Sequence, residues 1–223
     1  MDRQLPGSKL LLTCLLLSIE GGYLDAYTYV TRDGVFANAQ TANIVKLAMN
    51  FQAHNMAKCM QLLIPVSAFI LGVLVALIIE SHHTKYGIRH IRRSVLLVEI
   101  AALVTVAFLP EQYNTAANCL VSFVCAMQME AFKTFVGQVL TTTVSTGNLR
   151  KFVEFLYKAI MEHDQEALKT AGIYLVVILS FMTGAYIGYG ISVQYGFKSI
   201  FIPVVLLVIG LAVITYQQYR YQA

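Results

Sequence analysis

The sequence predicts an all-α membrane protein: six transmembrane helices in two inverted-topology three-helix repeats, with an additional short amphipathic or half-helix after the first and fourth spans. Three observations predict it: a scarcity of charge, six long apolar runs, and a self-match between the two halves of the chain. Of 223 residues, 57% are hydrophobic and only 13% charged, where a soluble domain carries about 25% charged residues. Mean hydropathy is +0.65, which excludes intrinsic disorder. A net charge of +4 offers no basic surface for nucleic acid, and the length suits a single transmembrane domain spanning residues 1–223.

Five runs carry little or no charge: Leu62 to Ile79, Ser94 to Pro110, Thr115 to Met129, Ala171 to Tyr189 and Ser199 to Tyr216. Each approaches the roughly 20 residues needed to cross about 30 Å of hydrocarbon. A sixth run, Leu10 to Val30, is interrupted by Glu20 and Asp25. Those acids stand where a signal peptide would have its small-residue cleavage site, so this run is expected to be a retained span. The four cysteines, Cys14, Cys59, Cys119 and Cys125, show no ligand or redox spacing and read as small packing residues.

With the N terminus inside, twelve basic residues gather on the inner segments: Arg3, Lys9, Lys85, Arg89, Arg92, Arg93, Lys133, Arg150, Lys151, Lys158, Lys169 and Arg220. Only Arg32, Lys46, Lys58 and Lys198 fall outside, so the positive-inside rule predicts cytoplasmic termini. Tyr27, Tyr29, Tyr216, Tyr219 and Tyr221 near span ends are expected to form an aromatic belt. His82, His83 and His90 read as solvated loop residues; no second ligand stands at helical spacing, and no metal or cofactor is expected.

The self-match has an offset of 105 residues: Thr41-Ala42-Asn43-Ile44-Val45-Lys46 aligns with Thr146-Gly147-Asn148-Leu149-Arg150-Lys151, and Asp25-Ala26-Tyr27 with Glu130-Ala131-Phe132. Phe69 to Gly72 also matches Phe181 to Gly184. The repeats are therefore residues 1–112 and 113–223. Three spans are an odd number, so the second repeat enters the membrane from the opposite side. This plan recurs in secondary transporters, whose substrate site lies near the midplane between the repeats.

After the first and fourth runs come polar or β-branched linkers, Asp33 to Gln40 and Gly137 to Ser145, each leading into a helical pattern. From Thr146, the residues Leu149, Phe152, Val153, Leu156 and Ile160 share one helical face; from Thr41, the set is Ile44, Val45, Leu47, Ala48 and Phe51. Thr41 and Thr146 are expected N-caps. Neither first turn carries an acid, which leaves the positive helix ends open to an anionic or polar group. Gln40, Thr41, Asn43, Thr146 and Asn148 are accordingly the candidate substrate-binding residues. The competing reading, amphipathic helices lying at the membrane surface, stays open.

Asp25, Glu130 and Glu20 are the candidate proton-coupling or gating residues, because a carboxylate within a span faces the protein interior or an aqueous cavity. For Glu130 the alternative is an i,i+3 ion pair with Lys133. Glu99, five residues into its run, is expected at the interface. Gly21, Gly22, Gly184, Gly188 and Gly190 are expected to let helices approach closely.

The chain carries no Gly-x-Ser-x-Gly, His-Glu-x-x-His or phosphate-loop motif, and an enzyme is not expected. Gly22-Tyr23-Leu24-Asp25-Ala26, then Phe36 to Asn43, and Thr146-Gly147-Asn148 in the later half resemble the YoaK family of bacterial multi-pass membrane proteins, with Ala42 where that pattern has Gly. The resemblance implies a protein of the bacterial inner membrane and a family without an assigned function. The layout is also similar to the core of uracil and sulfate permeases, an analogy of fold. Together the observations predict a secondary transporter for an anionic or polar small molecule, with the lipid bilayer and that substrate as partners and a homodimer as the assembly suited to so small a bundle. A channel, an intramembrane enzyme or lipid-handling protein, and a scaffold are the alternatives.

Overall fold

A computed structural model describes residues 7–86, 91–135 and 138–222. The described chain is almost entirely helical: α1 (Gly7–Thr31), α2 (Gln40–Gln52), α3 (Met56–Tyr86), α4 (Ile91–Ala107), α5 (Asn114–Ala131), α6 (Ser145–Met161), α7 (Gln165–Tyr195) and α8 (Phe201–Gln222). Each predicted apolar run forms a helix. Two short strands, β1 (Thr134–Phe135) and β2 (Gln138–Val139), pair antiparallel ahead of α6. Among the described residues, two helical stretches are long and apolar enough to cross a membrane, Met56–His82 and Gln165–Tyr216. The second stretch joins α7 to α8 through a tight helical turn at Gly196–Ile200.

The order long helix, linker, shorter helix, long helix, helix occurs twice along the chain, as α1–α4 and α5–α8. The packing crosses between the two sets: α1 lies mainly on α7, and α5 mainly on α3, while α2 rests on α3 and α6 on α7. Small residues permit both close crossings. A side chain at Gly22 would run into the Phe181 carbonyl of α7, one at Gly184 into the Ile19 carbonyl of α1, and one at Gly72 into the Phe123 carbonyl of α5. Gly190 differs from the expectation: it faces open space, with nothing within 4 Å of where a Cβ would sit.

The turns into the third helix of each set match as well. His54 and His163 both adopt left-handed backbone, with φ of 55° and 54°. The residue that follows each caps the next helix. Asn55 Oδ1 accepts from the Lys58 N–H at 3.2 Å, and Asp164 Oδ1 accepts from Glu166 N–H at 2.9 Å and Ala167 N–H at 3.1 Å.

Two expectations about surface residues are corrected. Tyr27 is fully buried and donates to the Phe197 carbonyl at 3.3 Å, so of the tyrosines at that span end only Tyr29, 48% exposed, reaches the surface. His82 lies on the last turns of α3, which runs on to Tyr86 instead of ending in a loop at Ile79. Arg89 and His90 fall outside the described residues, as do the side chains of His83, Lys85, Tyr219 and Tyr221. The cysteines are free, three of them buried, as packing residues should be.

Arg32, just past the end of α1, is fully buried, and among the described residues no carboxylate pairs with it. It crosses to the C-terminal end of α4, donating to the Val106 carbonyl at 2.9 Å, the Leu109 carbonyl at 3.0 Å and Asn114 Oδ1 at 3.0 Å. Its guanidinium lies 4.0 Å from the Phe197 ring centroid. Terminal carbonyls carry the negative end of the helix dipole, so the cation is neutralised by α4 rather than by an acid.

Candidate functional site

The two linkers fold back into the bundle toward the middle of α1. In the first, Asp33 and Gly34 take left-handed φ of 63° and 69°, which reverses the chain. It then climbs along α1. The Ala37 N–H donates to Thr28 Oγ1 at 3.2 Å, the Asn38 N–H to Asp25 Oδ1 at 2.8 Å, and Asn38 Nδ2 to the Gly21 carbonyl at 3.0 Å. The second linker arrives at the same glycine, where the absent Cβ would lie 2.9 Å from the Thr142 carbonyl oxygen and 3.2 Å from Thr143 Cα. Gly21 thus lets both linkers meet beside one helix.

Each linker is locked by the asparagine of its own following helix. Asn43 Oδ1 accepts from the Phe36 N–H at 3.2 Å while Nδ2 donates to the Phe36 carbonyl at 2.6 Å. Asn148 does the same with Thr141, at 3.1 and 2.6 Å. Both asparagines are buried. A side-chain amide pairing with a backbone residue seven positions earlier supplies what a neighbouring strand would, and it satisfies polar groups that burial would otherwise strand.

The threonines do not cap. Ala39 and Val144 occupy the N-cap positions of α2 and α6 and offer no side chain that could cap, while the Asp25 carboxylate accepts from the backbone N–H groups of Asn38 and Ala39 just ahead of α2. Thr41 and Thr146 sit one position inside their helices and are exposed. They line the same cavity, of about 630 Å³, with Asn38, Gln40 and Lys46 as its other polar walls and Phe69, Met129 and Val144 among its apolar ones. Among the described residues, no carboxylate lines it. Lys46 brings a positive charge, its Nζ donating to the Gly34 carbonyl at 2.8 Å and lying 4.6 Å from the Phe36 ring centroid. The cavity therefore combines two uncapped helix N-termini, hydroxyl and amide donors, and one ammonium group.

Of the sequence-predicted residues, Gln40, Thr41 and Thr146 come together at this cavity, and Asn43 and Asn148 lie beneath it as linker anchors. Asp25 is buried directly behind Asn38. Its sequence equivalent Glu130 stands elsewhere, paired with Lys133 at 2.6 Å, and Lys133 also reaches Glu80 at 3.1 Å. Those carboxylates hold the Lys133 ammonium above its ordinary pKa, chiefly through the hydrogen bond it donates to Glu130.

Glu20 joins a buried cluster that local sequence reading missed. Gln128 Nε2 on α5 donates to Glu20 Oε2 of α1 at 2.9 Å and to Glu99 Oε2 of α4 at 3.0 Å, and Gln128 Oε1 accepts from Thr142 Oγ1 at 3.0 Å. Glu20, Glu99 and Gln128 are each fully buried. The interfacial expectation for Glu99 is thereby corrected: α4 packs on both α5 and α8, which covers the face that carries it. Its signal in the sequence was an isolated acid within an apolar run, matched by the lone Gln128 of another run.

Fold and site together define a class: a helical protein with apolar helices around an inward-folded pair of linkers and a buried polar layer. The chain belongs to a family described as proteins of unknown function, DUF1275, whose family model matches residues 13–213. That agrees with the family without assigned function expected from the Asp25-Ala26 and Thr-x-Asn motifs. No curated protein and no solved structure matches the chain.

Proposed function

We propose that this chain is a small secondary transporter, a permease for an anionic or polar small molecule, of YoaK type and seated in the bacterial inner membrane. In this reading α1, α3, α4, α5, α7 and α8 span the bilayer as two inverted repeats, both termini are cytoplasmic, and α2 and α6 are half-helices. A homodimer is its proposed assembly. The crossed packing of α1 on α7 and α5 on α3 supports the repeats, because exchanging the two halves turns one contact into the other. The capped turns at His54-Asn55 and His163-Asp164 support them too.

One observation carries the function: a cavity of about 630 Å³ joins the starts of both half-helices and, among the described residues, is lined by a lysine and by no acid. Its volume suits a small ligand, and uncapped N-termini with an ammonium group favour negative charge. Both linkers reach it beside Gly21, near the middle of α1, which supports a site at depth and not on the membrane surface. Substrate is bound between Thr41 and Thr146, with Gln40, Asn38 and Lys46 as further contacts. Asp25 holds the first linker through Asn38 and gates the polarity behind it.

Uptake of small inorganic and organic anions into proteoliposomes, with and without a pH gradient, tests this. Saturable uptake of at least one anion is expected, and Thr41→Val combined with Thr146→Val should lower it at least tenfold while the protein still folds. Lys46→Gln should raise KM with little change in kcat, the signature of lost ground-state binding. Unsaturable single-channel conductance, or no flux of any anion tested, overturns the reading.

A further inference from the structure

Two carboxylates meet at a single amide nitrogen in the interior, Glu20 at 2.9 Å and Glu99 at 3.0 Å from Gln128 Nε2. On its other side the same amide accepts from Thr142 through Oε1, so Gln128 presents its nitrogen to both carboxylates. Both N–H bonds of the amide are used, yet among the described residues Glu20 Oε1 is buried with no hydrogen-bond partner, and so is the hydroxyl of Thr143, next to the Thr142 that closes the cluster. A buried polar atom left unpaired in a native protein calls for a ligand, ion or water. Among the described residues, no lysine, arginine or histidine forms an ion pair with either carboxylate.

The surroundings make the lack of a counter-charge worse. The nearby titratable groups are Asp25 on α1 and Cys125 on α5, and neither brings positive charge. The elements that close the site contribute Gln128 and Thr142 as its remaining polar partners, and both are neutral. Removing two like charges from water without a compensating partner costs several kcal/mol per ion.

We propose that Glu20, Glu99 and Gln128 form a binding site for one small monovalent cation, a proton or a sodium ion, held among α1, α4 and α5. Gln128 positions the two carboxylates, and the cation sits between them, within reach of Glu20 Oε1. The site deepens the transporter reading and rests on its placement of these helices within the bilayer, where it supplies the coupling ion. It adjoins the substrate cavity through the second linker: Thr142 bonds Gln128, and Val144, two residues on, lines the cavity.

The test uses the full-length protein purified in detergent, so that it needs no transport. The proton arm is infrared spectroscopy at neutral pH, where a protonated carboxyl C=O band that shifts in deuterium oxide is expected in the wild type, persists in Asp25→Asn, and is lost in the double variant Glu20→Gln/Glu99→Gln. The sodium arm is thermal unfolding in sodium chloride against choline chloride. There the wild type is expected to melt several degrees higher in sodium and the double variant at one temperature in both salts. The glutamines are isosteric with neutral acids, and a cooperative melt of the double variant shows that it is folded. A positive result in either arm supports the site and names the ion. Failure of both arms overturns it, as does a band or a sodium shift that survives in the folded double variant. Saturable uptake alongside that failure would leave the permease standing and remove only this site.

Discussion

Asn43 and Asn148 show how one residue can settle the conformation of seven others. Each amide makes two hydrogen bonds to the backbone of the residue seven positions earlier, Phe36 or Thr141, and so pins a linker with no sheet to join. Replacing either by Ala leaves a buried N–H and C=O unpaired, and a loss of about 3 kcal/mol is expected for each. The buried thiols of Cys14, Cys59 and Cys125 provide the readout: a thiol-reactive dye in a thermal ramp should report both variants melting below the wild type. Lys133 supplies a pH prediction of known sign. Its pKa is raised by Glu130 and Glu80, so the ion pair contributes below the ordinary lysine pKa, near 10.4, and is lost as pH rises through the higher folded value. The exposed position keeps the effect small. Lys133→Met should flatten the alkaline limb of stability against pH while leaving neutral stability almost unchanged.

Between elements, backbone proximity matters more than side-chain bulk. The α1 and α7 crossing depends on Gly22 and Gly184, whose missing side chains admit the Phe181 and Ile19 carbonyls. Gly184→Ala forces these helices apart and should destabilise by about 3 kcal/mol, in the range of overpacked cores. Gly190→Ala, on the same helix but facing open space, should be neutral or stabilising by up to about 1 kcal/mol through helix propensity. The same dye-based melt separates the pair, and equal melting temperatures would contradict the crossing. Arg32 ties α1 to the end of α4 through two carbonyls and Asn114. Lysine at that position keeps the charge but loses the planar fork. Arg32→Lys should therefore cost about 2 to 3 kcal/mol, within the range for hydrogen bonds to charged groups.

For the whole molecule, the inverted arrangement proposed above makes a prediction about sidedness. The turns at His54 and His163 are equivalent in the two sets of helices, and inversion puts equivalent turns on opposite faces of the membrane. With the native cysteines replaced by Ala or Ser, Asn55→Cys should react with an impermeant maleimide from outside the cell and Glu162→Cys only in inverted vesicles. Labelling of both from one side would rule out inversion while leaving the helix packing untouched.

The helical class, the places of the apolar helices, the twofold Thr-x-Asn pattern and the break after each first helix were legible in the amino-acid sequence, because hydropathy, helical periodicity and a fixed repeat offset are local or self-comparing properties. Three particulars were decided by tertiary structure. The place of Glu99 five residues into its run predicts an interfacial position, yet packing by two other helices buries it against Gln128, and no local pattern joins positions 20, 99 and 128. The place of the threonines before a helical pattern predicts caps, whereas the linkers, held by Asn43 and Asn148, turn Thr41 and Thr146 toward the cavity. Asp25 and Glu130 match in sequence and part in structure, since one is enclosed by a linker and the other meets Lys133. Symmetry of sequence specifies where elements begin and end; the environment of each side chain is set by whichever distant residues the packing brings beside it.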